Sequence, residues 1–186
     1  MDYFVIGLGN PGTQYQHTRH NVAWIVLHKL LGAHWEEDKY LKAQYLNNDG
    51  VHFLLPQTYM NKSGESVAGL KKIFSSFTPQ RLIVIYDDID LPLGSVRISF
   101  DRGSGGHNGV KSVTHHIGSQ KFIRIRIGVA KRLEDGRIVK PPVLGRFEKT
   151  ELEVVYQLVD SVGEMLRHIQ HKGYEDAMNT FNTKNT

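Results

Sequence analysis

Tyr15 to Asn21 reads YQHTRHN, a polar run placed directly before an apolar periodic segment, and His20 stands near its end. Imidazole is the side chain whose ordinary pKa lies nearest neutrality, so it can take a proton from water at physiological pH. A lone histidine at a helix entry is more often structural. What lifts His20 above that reading is Asp87, which follows the apolar run Arg81 to Tyr86. A carboxylate accepting from one ring nitrogen would fix the tautomer and leave the other nitrogen as a base, and such a dyad activates water.

Asparagines supply the second half of that chemistry. Asn10 lies in the turn Gly7 to Gly12, Asn61 in Pro56 to Gly64 and Asn108 in Gly103 to Gly109. A carboxamide offers two donors and an acceptor without carrying charge, so it can orient water or steady the negative oxygen of a tetrahedral intermediate. The competing reading for Asn61 and Asn108 is helix capping, at which asparagine is good.

Other chemistries fit less well. Asp87, Asp88 and Asp90 could hold Mg²⁺ through carboxylate oxygens, or form a solvated acidic loop. Gly7-Leu8-Gly9-Asn10-Pro11-Gly12 matches the dinucleotide-binding pattern formally. In that motif the last glycine opens the helix whose N-terminus meets the pyrophosphate, whereas here Pro11 and the polar stretch Thr13 to Arg19 delay the helix. We therefore expect no nicotinamide or flavin cofactor, and read the glycines as shaping a loop that presents Asn10. The chain has no cysteine, which removes disulfides, thiolate catalysis and thiolate zinc sites. No G-x-S-x-G elbow occurs, which disfavours a serine nucleophile. The histidine pairs His115 with His116 and His168 with His171 come without H-E-x-x-H spacing and read as surface or core residues, so no metal site is expected.

These groups need elements to hold them. Tyr3 to Leu8 reads as a buried strand, Asn21 to Leu31 as a helix, and residues 40 to 56 as two strands joined at Asn48-Asp49-Gly50, a hairpin signal. A helix is expected from Gly64 to about Phe74, a strand over Arg81 to Tyr86 ending at the acidic cluster, and another through Val96, Ile98 and Phe100. Gly109 to Ile117 reads as a short helix. In Phe122 to Val129, isoleucines alternate with Arg124 and Arg126, which predicts a strand with one apolar and one cationic face. Leu152, Val155, Leu158, Val162, Met165 and Ile169 recur at helical spacing, giving an amphipathic C-terminal helix. Strands alternating with helices predict an α/β fold: one three-layer domain over residues 1–186, with a twisted mixed sheet flanked by helices. Ligands in such sheets gather beyond the carboxyl ends of the strands, where Asn10 and Asp87 fall.

At 186 residues one domain is expected. Twenty-three Lys and Arg against nineteen acids give a net charge of +4 and a pI near 9.2, a balance that favours polyanionic partners without proving one. The N-terminal MDYFVIGLGN lacks a basic export region, and no stretch approaches a membrane span, so a cytoplasmic protein without a membrane partner is expected.

Taken in order, these segments resemble bacterial-type peptidyl-tRNA hydrolase: GLGNPG at Gly7 to Gly12, Tyr15 with TRHN at Thr18 to Asn21, PQTYMNKSG at Pro56 to Gly64, DDIDLPLG at Asp87 to Gly94, GSGGHNGVKS at Gly103 to Ser112, FIRIRIGV at Phe122 to Val129 and VLGRF at Val143 to Phe147. The likeness covers nearly the whole chain. It implies cleavage of the ester joining a peptide to the terminal ribose of tRNA, by a monomer that requires no cofactor or protein partner, with recycling of tRNA as the purpose. His20 would be the base and Asp87 its partner. Asn10 would sense whether the amino acid's nitrogen is acylated, Asn61 and Asn108 would bind the peptide backbone and the reacting water, and Tyr15, Tyr59 and Met60 would line the pocket. Arg102, Lys111, Lys131, Arg132 and Arg146 could engage tRNA phosphates. An ester has a better leaving group than an amide, so positioned water, a base and oxyanion donors could suffice.

The chain departs from the family pattern at Ala23, where glycine is common, and at His28, where an acidic residue is usual. Asp101 and Arg102 stand where glycines are more usual, Ser99 where a lysine contacting tRNA is expected, and Ala130-Lys131-Arg132 replaces a Gly- and Pro-containing turn. These changes bear on the tRNA contacts rather than on the chemistry. A non-catalytic RNA-binding protein on the same scaffold and a metal-dependent phosphoesterase using the acidic cluster are the competing functions.

Overall fold

The computed structural model describes residues 2–32 and 34–182. In chain order its elements are β1 (Tyr3–Gly7), α1 (Val22–Leu31), β2 (Glu36–Asp38), β3 (Ala43–Asn48), β4 (Val51–Pro56), α2 (Gly64–Ile73), β5 (Leu82–Pro92), β6 (Val96–Phe100), α3 (Asn108–Ile117), β7 (Ile123–Arg132), β8 (Ile138–Val139), α4 (Lys149–Lys172) and α5 (Tyr174–Asn182). The strands form one mixed sheet in the order β2-β3-β4-β1-β5-β7-β6, with β8 added to β7. The central pairs β4–β1, β1–β5 and β5–β7 are parallel, and the outer pairs are antiparallel.

Period-two alternation in the central strands sends side chains into two cores. Val5, Phe53, Leu55, Ile83, Ile85, Ile123, Ile125 and Ile127 pack under α1, α4 and α5. Phe4, Ile6, Leu54, Leu82, Val84 and Phe122 pack under α2 and α3. The expected three-layer α/β arrangement with a mixed sheet is the observed one. The hairpin falls where Asp49 and Gly50 predicted it, both at positive φ (50° and 78°), with β3 and β4 paired throughout. The apolar stripe from Val155 to Ile169 is the buried face of α4. No described helix is long and apolar enough to cross a membrane.

One strand reading is corrected. β5 does not end at Tyr86 but runs through the acidic cluster to Pro92, because β7 pairs with it beyond that point, with a register shift between Asp88 and Pro92. The expected cationic face of β7 is present and lies in the interior: Arg124 is fully buried and Arg126 nearly so. Arg126 is neutralised by Asp88, Nε to Oδ2 at 2.7 Å. Arg124 lies 4.0 Å over the Phe122 ring and donates to the carbonyls of Gln120, Phe122 and Arg102, so it ties the start of the glycine-rich segment to the sheet. Burial depresses its guanidinium pKa. β2, β8 and α5 had no counterpart in the sequence reading.

Candidate functional site

The glycines at the end of β1 and just after it are spacing for α1 rather than a phosphate cradle. A Cβ on Gly7 would lie 2.8 Å from Leu27, and one on Gly9 would lie 2.5 Å from the indole nitrogen of Trp24. That nitrogen donates to the Gly7 carbonyl at 2.9 Å. Two 3-10 turns, Thr13–Tyr15 and Arg19–Asn21, separate Gly12 from α1, so no helix N-terminus meets this loop.

What the loop presents is Asn10, and Asn21 holds it. The Asn10 backbone N–H donates to Asn21 Oδ1 and Asn21 Nδ2 donates back to the Asn10 carbonyl, both at 2.9 Å. The Asn10 side chain is oriented as well: Oδ1 accepts from the Met60 N–H at 2.8 Å, which leaves its Nδ2 hydrogens to donate elsewhere. Asn21 belonged to the quoted TRHN segment, but nothing in the sequence marked it as a brace.

His20 sits in the second 3-10 turn, which is fastened to a distant segment. The Arg19 N–H donates to the Gly145 carbonyl, the His20 N–H to that of Val143 and the Phe147 N–H to that of His17. The Arg19 guanidinium reaches under the turn to both Glu151 oxygens at 2.6 and 2.7 Å and to the Arg146 carbonyl, and it lies over the Phe147 ring. Glu151 also accepts from the Glu148 N–H in the capping box that opens α4. Arg19, Glu151 and Phe147 at the centre of this clamp are buried, so the loop bearing His20 is set by the N-terminus of α4.

His20 Nδ1 lies 2.8 Å from Asp87 Oδ1. The same oxygen lies 2.9 Å from Nε2 of His107, and the two rings are 4.9 Å apart between centroids. His107 caps α3: its Nδ1 accepts from the Val110 N–H at 3.3 Å. A backbone N–H can only donate, so Nε2 carries the His107 proton and gives it to Asp87. Tyr86 packs edge-on against the same ring. Burial by itself would raise the Asp87 carboxyl pKa, but His107 and His20 outweigh it and hold the group well below the usual carboxylate range. An ionised Asp87 can only accept, so His20 Nδ1 carries its proton and Nε2 keeps a lone pair. His107 is the functional neighbour that the sequence reading passed over, although it stands beside Asn108.

Capping is not what the asparagines do. His107 caps α3 and Asn108 is its first residue, while Asn61 lies within the 3-10 turn Met60–Lys62. The Gly64 N–H donates to Ser112 Oγ at 3.0 Å, which ties the Asn61 segment to the Asn108 helix. His20, Asp87, Asn108 and Arg102 line one cavity of about 280 Å³ with the loop Gly103 to His107. Gly105 and Gly106 adopt φ of 58° and 88°, which glycine takes without strain and which keeps this wall backbone. Asn10 adjoins through the turn that carries His20. Met60 is buried in the α2–α3 core, Tyr15 is half-buried and Tyr59 and Asn61 are exposed; none of the four lines this cavity. Lys111, Lys131, Arg132 and Arg146 are also exposed, and Lys131 and Arg132 border a different hollow.

The acidic cluster does not converge on a cation site. Asp87 faces two histidines, Asp88 faces Arg126 and Asp90 faces Lys140. Among the described residues, His20, Asp87 and His107 form the one group whose ligand atoms lie close enough for a metal ion. Their facing atoms are already joined by the two hydrogen bonds to Asp87 Oδ1.

A family model described as peptidyl-tRNA hydrolase matches residues 4–186. Curated relatives of that name include one from Halalkalibacterium halodurans, 39% identical over 96% of this chain and 98% of that protein. Another, from Clostridium novyi, is 37% identical over 97% of each. The crystal structure of peptidyl-tRNA hydrolase from Acinetobacter baumannii superposes with a TM-score of 0.82 at 32% identity, covering 97% of this chain and 94% of that one.

Proposed function

Because the chain belongs to the peptidyl-tRNA hydrolase family, we propose that it hydrolyses the ester between a peptide and the terminal ribose of tRNA, with His20 as general base and Asp87 as the group that orients it. The observation that carries this reading is the double donation to Asp87 Oδ1 by His20 Nδ1 and His107 Nε2. It keeps Asp87 ionised and His20 in the tautomer with a free Nε2.

In this reading His20 Nε2 takes a proton from water as the water oxygen attacks the ester carbon. The carbonyl electrons move onto oxygen, where carboxamide donors such as Asn108 steady the charge. Collapse of the intermediate reforms the carbonyl and breaks the bond to the ribose oxygen, which receives the proton from the imidazolium. A peptide acid and a tRNA with its terminal hydroxyl are the products. Asp87 takes no proton at any step.

Asn10 suits the recognition of an acylated nitrogen. Its oxygen is occupied by Met60, so it presents donors, which bond the carbonyl of an N-acyl group and meet a free ammonium unfavourably. Asn61 and Asn108 would hold the peptide backbone and the water, with Tyr15 and Tyr59 along the approach. Arg102, Lys111, Lys131, Arg132 and Arg146 are exposed cations suited to tRNA phosphates. Release of tRNA from prematurely dissociated peptidyl-tRNA is the cellular role that follows.

Hydrolysis of N-acetyl-aminoacyl-tRNA with and without EDTA tests the reading. We expect full activity in EDTA. Loss on chelation would indicate a metal-dependent esterase, and absence of activity with retained tRNA binding would indicate an RNA-binding protein.

A further inference from the structure

The end of the sheet away from His20 also carries a cavity. Tyr3, Val51 and Ile83 lie near the starts of the parallel strands β1, β4 and β5, whereas Asn10 lies beyond the carboxyl end of β1 and Asp87 further along β5. Between these strand starts, the end of α1, the second half of α4 and the β3–β4 turn is a space of about 400 Å³, which shares no lining residue with the His20 cavity. We propose that it binds a free amino acid with a large apolar side chain, the side chain lying against the sheet and the ammonium and carboxylate meeting Asp49 and Arg167.

The interior of this cavity is apolar by register. Val5 stands between its ladder partners Phe53 and Ile83, and the three side chains share the face under α1 and α4. Leu30, Leu31 and Leu166 close the sides. The Tyr3 hydroxyl donates to the Ile169 carbonyl at 3.3 Å, which holds its ring against α4. Such a surface takes an alkyl or aromatic group, and the volume lies within the range of about 300–1,000 Å³ common to ligand sites.

The charged residues of the lining select the other end of the ligand. Asp49 of the turn and Arg167 of α4 are both exposed, and neither side chain makes an ion pair or hydrogen bond among the described residues, with each other or elsewhere. The guanidinium is turned back along its helix: a Cβ on Gly163, which lines the same cavity, would lie 3.5 Å from Arg167 Nη1. An apolar acid would meet Asp49 unfavourably, and an apolar amine would meet Arg167 so. A zwitterion satisfies both, its carboxylate accepting from the forked N–H donors of the guanidinium and its ammonium donating to Asp49. Asn48 and Gln170 add neutral carboxamides to the lining.

Isothermal titration of the full chain, without tRNA, tests the proposal. L-phenylalanine and L-leucine bind with dissociation constants below about 1 mM, and glycine, hydrocinnamate and phenethylamine, which lack the side chain, the ammonium and the carboxylate in turn, bind about tenfold more weakly or worse. Arg167→Ala and Asp49→Asn each weaken phenylalanine about tenfold, the weight of one charge-assisted hydrogen bond. Both residues are exposed and asparagine accepts the φ of 50° at position 49, so both variants fold, which thermal melts check. Absence of binding by both amino acids, binding of any of the three control compounds as tight as that of phenylalanine, or undiminished affinity in either variant overturns the proposal. Because no tRNA is present, such a result leaves the hydrolase reading untouched.

Discussion

Asn21 and Asn10 are joined by a reciprocal pair of hydrogen bonds, each 2.9 Å, in which one side chain satisfies both the N–H and the carbonyl of the other's backbone. Both residues are buried. Asn21→Ala leaves two backbone groups without partners, so we expect a loss of about 1–3 kcal/mol in urea unfolding. We also expect kcat/KM to fall, because Asn10 is released from its orientation. A variant as stable and as active as the wild type would remove Asn21 from the site.

His20→Ala keeps Asp87 paired with His107 and should fold normally. Turnover should drop about 10²–10⁴-fold, the usual contribution of general base catalysis, while tRNA binding persists. Single-turnover hydrolysis beside a filter-binding titration separates the two, and near-normal turnover would end the assignment of His20.

Asp87 also governs acid stability. In the folded chain its pKa lies well below the ordinary value, held there by the histidines against the opposing effect of burial. Above the unfolded value of about 3.9 both states are ionised and the full stabilisation is present. As pH falls below about 5 the unfolded state begins to take up a proton that the folded state refuses, so stability falls toward acid. Asp87→Asn removes this contribution. Urea midpoints measured from pH 6 down to pH 3 should fall less steeply in the variant; an unchanged slope would refute the assignment.

The Arg19–Glu151 pair is buried on both sides and closes at 2.6 Å. Glu151→Ala strands the guanidinium away from water, for which we expect about 3–5 kcal/mol of destabilisation. Double replacement, Arg19→Met with Glu151→Leu, should recover part of that stability. It should not recover activity in equal measure, since the bonds that seat the His20 turn are lost with Arg19. Stability and kcat measured on both variants would show whether the two properties separate.

Locally encoded elements were legible in the sequence. β1, the Asp49-Gly50 hairpin and α4 each advertise themselves through apolar period or turn chemistry. β2 was not, because Glu36, Glu37 and Asp38 carry no apolar alternation and pair only because β3 offers a free edge. The burial of the β7 arginines was not legible, because a pattern of charge cannot report that Asp88, Phe122 and backbone carbonyls await them in the interior. In the site, His20, Asp87 and the asparagines stood out by type and setting. His107 and Asn21 act through partners far along the chain or through a tautomer, and neither leaves a trace in spacing. Asp101 adopts a φ of 47°, in the left-handed region that residues other than glycine seldom take, and nothing in its spacing announces it.

The seat of His20 is made from residues 143–151, more than 120 positions downstream. During synthesis the histidine therefore emerges from the ribosome early, while the carbonyls and the glutamate that fix its turn arrive only with the last quarter of the protein. A chain still short of α4, and so still a peptidyl-tRNA itself, carries His20 without its setting. On the reading proposed above, competence to cut such esters would come only once α4 has been made.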